Sequence, residues 1–288
     1  MIHTKPEMVV DEKSVIGECP LWHPLEKRVY WLDIGSGSIH RYDPEQKSHE
    51  RVYQGIRVGG FTIQADGTLL LFMDRGAVGI WKNGELTFVI DEIPEERDTR
   101  FNDVIADPEG RVFCGTMPTK DRPGRLYRLD PNGNLTRILD GIEISNGMGF
   151  TVDRKQMYFT DSGKGEIYLF DYDQQCGEID NRRLFLRAPR SEGVPDGMTV
   201  DAEGYVWSAR WNGGCVVRYA PNGKEVLRIH FPAKKVSCVT FGGEDYMDIY
   251  VTTAGGDNRE EEGSGAGALF SLNFDIQGLP EFFSRIQI

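Results

Sequence analysis

Six copies of one pattern run along the chain: an apolar run of three or four residues, a turn, a short linker, and a second apolar run that closes on an Asp or Asn turn. YWLDIGSGSIHRYDP, MYFTDSGKGEIYLFDYD and VWSARWNGGCVVRYAPNG are three of them. Aligning Trp31, Leu71, Phe113, Phe159, Trp207 and Tyr250 gives steps of 40, 42, 46, 48 and 43 residues, in the range of solenoids, propellers and arrays. Each unit is rich in short β-branched and aromatic runs and in Gly, Asp and Asn turns, which predicts strands and not helix pairs. No segment sustains apolar residues at three and four apart for more than two turns, which argues against a helical solenoid. The third unit resolves into four strands near Asp103 to Ala106, Arg111 to Gly115, Gly124 to Leu129 and Leu135 to Ile138, with ADPEG and DPNG as turns. Four antiparallel strands repeated six times predict an all-β six-bladed β-propeller.

The 288 residues spread over six units leave 48 for each, so residues 1–288 are expected to form a single propeller domain. Such a ring must join its first and last blades, because free strand edges invite aggregation. Glu7 to Val10 has no partner in the first unit. It is expected to supply the outer strand of the last blade, beside Phe282 to Ile288, so that N- and C-terminal strands close the ring.

A net charge of -12 and a pI near 5.0 argue against nucleic-acid and membrane-surface partners and leave small neutral substrates open. The first residues, MIHTKPEMVVDEK, lack an apolar leader segment, and no run of eighteen apolar residues occurs; a soluble, cytoplasmic monomer is expected. Cys19, Cys114, Cys176, Cys215 and Cys238 show no CxxC spacing and read as free thiols, mostly buried. The run from Asp257 to Ala268, DNREEEGSGAGA, reads as a mobile loop of the sixth unit, since no Lys or helix start makes its glycines a phosphate loop.

The units differ most just before the strand that would line the central channel. There they carry Glu18, Gly60, Asn102 with Asp103, Asn146, Asp196 and Ser237. Glu18, Asn146 and Ser237 lie 13 residues before their aligned anchors, and Asn102 and Asp196 lie 11 before theirs. Glu18, Asn146 and Asp196 thus aim two carboxylates and one carboxamide at one end of one tunnel. Two anionic oxygens and a neutral one suit a hard divalent cation, whereas converging carboxylates without a cation repel one another. Taken singly each residue can be an ordinary turn residue, since Asn146-Gly147 and Asp196-Gly197 are common turn pairs. His23, His40, His49 and His230 fall outside this register and read as packing or surface residues. The five tryptophans read as blade packing, with Trp211 in RWNGG able to face a sugar. No GxSxG elbow, HExxH helix or Walker loop is present.

Four segments, GECPLW around Glu18, RFNDVIADPEGRVFCGTM from Arg100, ISNGMGFTVDRKQMYFTDS around Asn146 and PDGMTVDAEGYVW around Asp196, resemble the regucalcin, gluconolactonase and luciferin-regenerating-enzyme family. The resemblance runs in order from about Ile16 to Phe274. It implies hydrolysis of a sugar lactone by a propeller holding one divalent metal ion: calcium, zinc, manganese, magnesium or ferrous iron. It places the metal ligands on Glu18, Asn146 and Asp196 and the substrate contacts on Arg100, Asn102 and Asp103. Mammalian members bring an acidic residue to the sugar after the GTM motif; here PTKDR stands there, with Lys120 or Asp121 nearby. The metal would polarise the lactone carbonyl while Asp196 activates water as general base. Two other activities remain open at this stage: a phosphotriesterase or aryl esterase of the related calcium propellers, and a non-enzymatic calcium-binding regulator.

Overall fold

The computed structural model describes residues 3–287. β1 spans His3–Val10. Blade 1 is β2 (Gly17–His23), β3 (Arg28–Asp33), β4 (Ser38–Asp43) and β5 (Ser48–Gln54), and blade 2 is β6 (Val58–Ile63), β7 (Leu69–Met73), β8 (Val78–Lys82) and β9 (Glu85–Ile90). Blade 3 is β10 (Phe101–Ala106), β11 (Val112–Thr116), β12 (Gly124–Leu129) and β13 (Leu135–Ile142). Blade 4 is β14 (Ser145–Phe150), β15 (Gln156–Asp161), β16 (Glu166–Asp173) and β17 (Glu178–Arg187). Blade 5 is β18 (Val194–Val200), β19 (Val206–Trp211), β20 (Cys215–Tyr219) and β21 (Glu225–His230), and blade 6 is β22 (Val236–Gly242), β23 (Asp248–Thr253) and β24 (Leu269–Asn273), completed by β1. The protein is a six-bladed β-propeller whose blades are four-stranded antiparallel sheets. No helix among the described residues is long and apolar enough to cross a bilayer.

The chain divides into two compact units: blades 1, 5 and 6, from residues up to Gly55 with Ala188–Pro280, and blades 2, 3 and 4, from Ile56–Arg187 with the residues from Glu281 on. In each unit the first strands of successive blades touch, β18 with β22 and β22 with β2 in one, β6 with β10 and β10 with β14 in the other. Strands pressed from both sides carry continuous apolar or small residues. β6 and β14 are buried throughout, whereas the outer strands β5 and β9 expose half or more of their side chains. The six aligned anchors are all buried in the second strand of their blade. Trp207 of blade 5, for example, meets Phe241 of blade 6 edge-on at 5.4 Å between ring centroids, an arrangement aromatic pairs favour.

The N-terminal strand does close blade 6, but against a different neighbour from the one expected. β1 pairs with β24, Met8 opposite Phe270 and Val10 opposite Leu269. Gly278 and Pro280 interrupt strand geometry after β24, so residues 282–287 continue into the other unit; Ile288 lies outside the described residues. There the Ser284 N–H donates to Ile63 O at 2.9 Å, the Gln64 side chain donates to Ile286 O at 2.9 Å, and Phe282 and Ile286 pack into the blade clusters. The acidic run after β23 also differs from a mobile loop: Glu262 O accepts the Lys234 N–H at 2.8 Å, and Arg259 donates to Ala266 O at 2.6 Å. Cys19, Cys114, Cys215 and Cys238 are buried free thiols and Cys176 is an exposed one.

Deleting residues 1–10 exposes the outer edge of β24 and is expected to shift the protein into higher-order species on size-exclusion chromatography. Unchanged elution and an unchanged melting temperature would contradict the closing role of β1.

Candidate functional site

Each first strand carries a β-bulge, at the place where the sequence units differ. Pairing with the second strand is interrupted after Glu18, between Val58 and Gly60, between Phe101 and Val104, after Asn146, between Pro195 and Met198, and between Val236 and Cys238. A bulge leaves residues unpaired and re-aims their side chains. Asn146 and Asp196 are therefore strand residues and not turn residues. Gly197 follows Asp196 for a packing reason: a Cβ there would lie 2.2 Å from Cys238 Sγ.

In the first unit β22 joins the surroundings of Glu18 and Asp196. The Ser237 hydroxyl donates to Gly17 O at 2.5 Å, beside Glu18, and Cys238 lies against Gly197, beside Asp196. Glu18 Oε2 accepts the N–H of Cys19 at 2.9 Å, and Cys19 sits at φ +49°, a left-handed conformation that a non-glycine residue adopts only under local constraint. Glu18 and Asp196 are 8% and 4% exposed.

In the second unit one chain of hydrogen bonds links two of the residues read from the sequence to blade 4. Arg100 Nη1 donates to Phe101 O at 2.8 Å and to Asn102 Oδ1 at 2.6 Å, and Asn102 Nδ2 donates to Ser145 O at 2.7 Å. Asn146, 6% exposed, follows directly. Its cross-strand neighbour Thr160 has a buried hydroxyl without a hydrogen-bond partner, as does Ser145. A buried hydroxyl without a partner is uncommon in a native protein. Asp103 is half-buried in the same bulge, where desolvation pushes its carboxyl up to about 7.

Lys120 and Asp121 are exposed in the loop between β11 and β12. Arg122 turns inward instead, to Glu95 O at 2.7 Å and to the buried Glu96 carboxylate, which also accepts the Tyr127 hydroxyl at 2.6 Å. A cavity of about 500 Å³ lined by Gln64, Asp66, Lys82, Glu85, Ser284 and Arg285 contains none of the residues singled out from the sequence.

Two positioning residues escaped the sequence reading. Asp33 Oδ1 accepts the N–H of Ile16 at 2.9 Å, and Asp161 Oδ1 accepts the N–H of Ile144 at 3.1 Å. Each aspartate ends its second strand and pins the residue two before Glu18 or Asn146. The visible signal is an Asp at the same place in YWLD and YFTD and in no other unit.

No described group of three or more His, Cys, Asp or Glu residues has metal-binding geometry. The carboxylates of Glu18 and Asp196 and the carboxamide of Asn146 are each of the oxygen type that hard cations take. The family described as SMP-30/Gluconolactonase/LRE-like region matches residues 16–255. The chain belongs to that family. It is 49% identical over 290 residues to a pentonolactonase of Haloferax volcanii, covering 97% of this chain and 98% of that protein. It is 35% identical to regucalcin of Danio rerio, covering 88% of each. Among solved structures it resembles a calcium-binding regucalcin from Agrobacterium tumefaciens, with a TM-score of 0.91 at 24% identity, covering 99% and 98% of the two chains. A luciferin-regenerating enzyme matches with a TM-score of 0.90 at 26% identity, covering 98% of this chain and 100% of that one.

The Asp103 carboxyl gives a pH-dependent prediction for the metal-free protein. The folded group holds its proton up to about 7, above its ordinary value of 3.8. The folded state therefore binds more protons than the unfolded one between these values, and stability falls as pH rises through them. Asp103→Asn should raise the melting temperature at pH 8 in the presence of chelator, with a difference that shrinks toward pH 4. An equal shift at both pH values would assign the effect to packing.

Proposed function

We propose that this chain hydrolyses a sugar lactone to the corresponding aldonic acid with one bound divalent cation, using Glu18, Asn146 and Asp196 as donors. The observation that carries the reading is the 49% identity, along nearly the whole chain, to a protein named as a pentonolactonase. The bulge positions of Glu18, Asn146 and Asp196, and the oxygen chemistry of their side chains, support the choice of donors. Such donors accept calcium, magnesium, manganese, zinc or ferrous iron.

A lactone is a neutral cyclic ester, and its hydrolysis passes through a tetrahedral oxyanion. The cation, when bound, supplies positive charge that polarises the ester carbonyl and acidifies water. Asp196 takes the proton of the attacking water as general base and returns it to the ring oxygen as the C–O bond breaks. Arg100 holds substrate oxygens with its guanidinium, a planar fork of N–H donors. Asn102 orients that guanidinium, since its carboxamide spans Arg100 and the backbone of Ser145. Asp103 lies beside it as a supporting acid, and Lys120, exposed in its loop, would meet a substrate only at the rim.

Asp196→Ala should lower kcat on aldonolactones by about a hundredfold or more while the melting temperature of the chelated protein stays within a few degrees. Wild-type turnover in that variant would remove Asp196 from the mechanism. Chelation should abolish lactone hydrolysis, and re-addition of single cations should restore it selectively. Full activity after complete demetallation would exclude the cation. Turnover of organophosphates or aryl esters well above that of aldonolactones would overturn the substrate class.

A further inference from the structure

A second cation occupies the place of Arg100 in another blade. In blade 3 the residue after β11, Met117, donates its N–H to Arg100 O at 3.0 Å, and Arg100 stands two residues before Asn102. In blade 6 the residue after β23, Ala254, donates to Lys235 O at 2.9 Å, and Lys235 stands two residues before Ser237. The same backbone bond from Ile34 to Ile16 O, at 2.9 Å, fixes this place in blade 1, two residues before Glu18. Lys235 is thus the blade-6 counterpart of Arg100, and it lies in the unit that carries Glu18 and Asp196. Arg57 holds the place in blade 2, where Asp74 donates to its carbonyl at 3.0 Å, but its side chain is 52% exposed.

Lys235 is not a solvated surface lysine. Its side chain is 18% exposed, and Nζ lies 2.7 Å from Glu262, whose side chain is equally covered. The ammonium stands 5.5 Å from the centroid of the Trp211 ring. Gly256, at φ +60°, leaves the room it needs, because a Cβ there would lie 2.9 Å from Nζ. Trp211 ends β19 opposite Val194, two residues before Asp196. The Lys234 N–H bonded to Glu262 O at 2.8 Å holds the long β23–β24 connection against the segment that carries Lys235.

Three elements of one unit therefore bring together an ammonium with three donors, a carboxylate acceptor and an indole face, the indole belonging to the residue opposite Val194, two before Asp196. Neighbouring hydroxyls on a ring match this set: one accepts from the ammonium, another donates to the carboxylate, and the C–H face of the ring packs on the indole. An exposed ion pair contributes little to stability, so a pair serving only as a loop staple has no need of the indole or of partial burial.

We propose that Lys235, Glu262 and Trp211 form a hydroxyl-binding subsite that sets the preference of this protein for polyhydroxylated lactones over unsubstituted ones. The proposal rests on the lactone-hydrolase reading above. It differs from that reading in its consequence, because the subsite acts on affinity for hydroxyls and not on the ester.

The test compares wild type, Lys235→Met, Lys235→Arg and Glu262→Gln on a five-carbon aldonolactone and on γ-butyrolactone, with melting temperatures as a check on folding. Loss of a hydrogen bond to a charged group should raise KM for the aldonolactone about tenfold in Lys235→Met and Glu262→Gln. The expected kcat stays within about twofold of wild type, kcat/KM for γ-butyrolactone is unchanged, and Lys235→Arg retains most of the affinity. Equal losses on both lactones, or no change on the aldonolactone, would overturn the subsite. Saturation-transfer NMR with the corresponding aldonate supplies a readout that needs no turnover. If wild type hydrolyses neither lactone, the hydrolase reading fails; the subsite then stands if wild type binds the aldonate and Lys235→Met does not, and falls otherwise.

Discussion

The close packing of first strands against one another is the constraint on which the other features depend. Within each unit these strands approach so nearly that a side chain is excluded at defined positions. A Cβ on Gly59 would lie 1.9 Å from Phe101 O, one on Gly60 2.6 Å from Asn102 O, and one on Gly197 2.2 Å from Cys238 Sγ. Strands this crowded cannot keep a regular ladder to their own second strand as well as to their neighbours, and each relieves the conflict with a bulge at one place. The bulge releases one or two residues from pairing, and polar side chains collect at those residues or directly before them.

Sixfold repetition then lets one geometric place carry different residues. Glu18, Asn102, Asn146, Asp196 and Ser237 occupy bulges of similar construction, yet each is held differently. The Ser237 hydroxyl is spent on Gly17 O and the Asn102 carboxamide on Arg100 and Ser145, so both act as links. Behind Glu18 and Asn146 the aspartates Asp33 and Asp161 accept backbone N–H groups and fix the approach to the bulge. Desolvation in the same region keeps the Asp103 carboxyl protonated to near neutral pH, the expected response of an acid removed from water without a charged partner.

Most of the strand framework was legible because its signals are local. In the third unit the expected strands from Gly124 to Leu129 and from Leu135 onward coincide with β12 and β13, the latter running on to Ile142. Turn pairs were legible only where they are turns. Asn146-Gly147 and Asp196-Gly197 have the composition of turns but lie inside β14 and β18, since the glycine after Asp196 answers to Cys238 of another blade, which no local window contains. The same limitation explains the C-terminal segment. Residues 282–287 have the apolar pattern of a strand, but Phe282 and Ile286 fill blade clusters and the backbone bonds to Ile63, Gly110 and Pro131.

The sequence alone determined the number of blades, the strands that form them, the buried anchors and the register of the polar irregularities, because each is set by alternation, turn chemistry or spacing within about fifty residues. Only the tertiary structure decided that the polar positions are bulges, that Asp33 and Asp161 hold the approach to Glu18 and Asn146, that Asn102 bridges two blades, and that Lys235 meets Trp211 and Glu262. These depend on how closely separate strands approach and on what that approach excludes. Such distances belong to packing between blades, and residues far apart in the chain share them without leaving a pattern in either stretch of sequence.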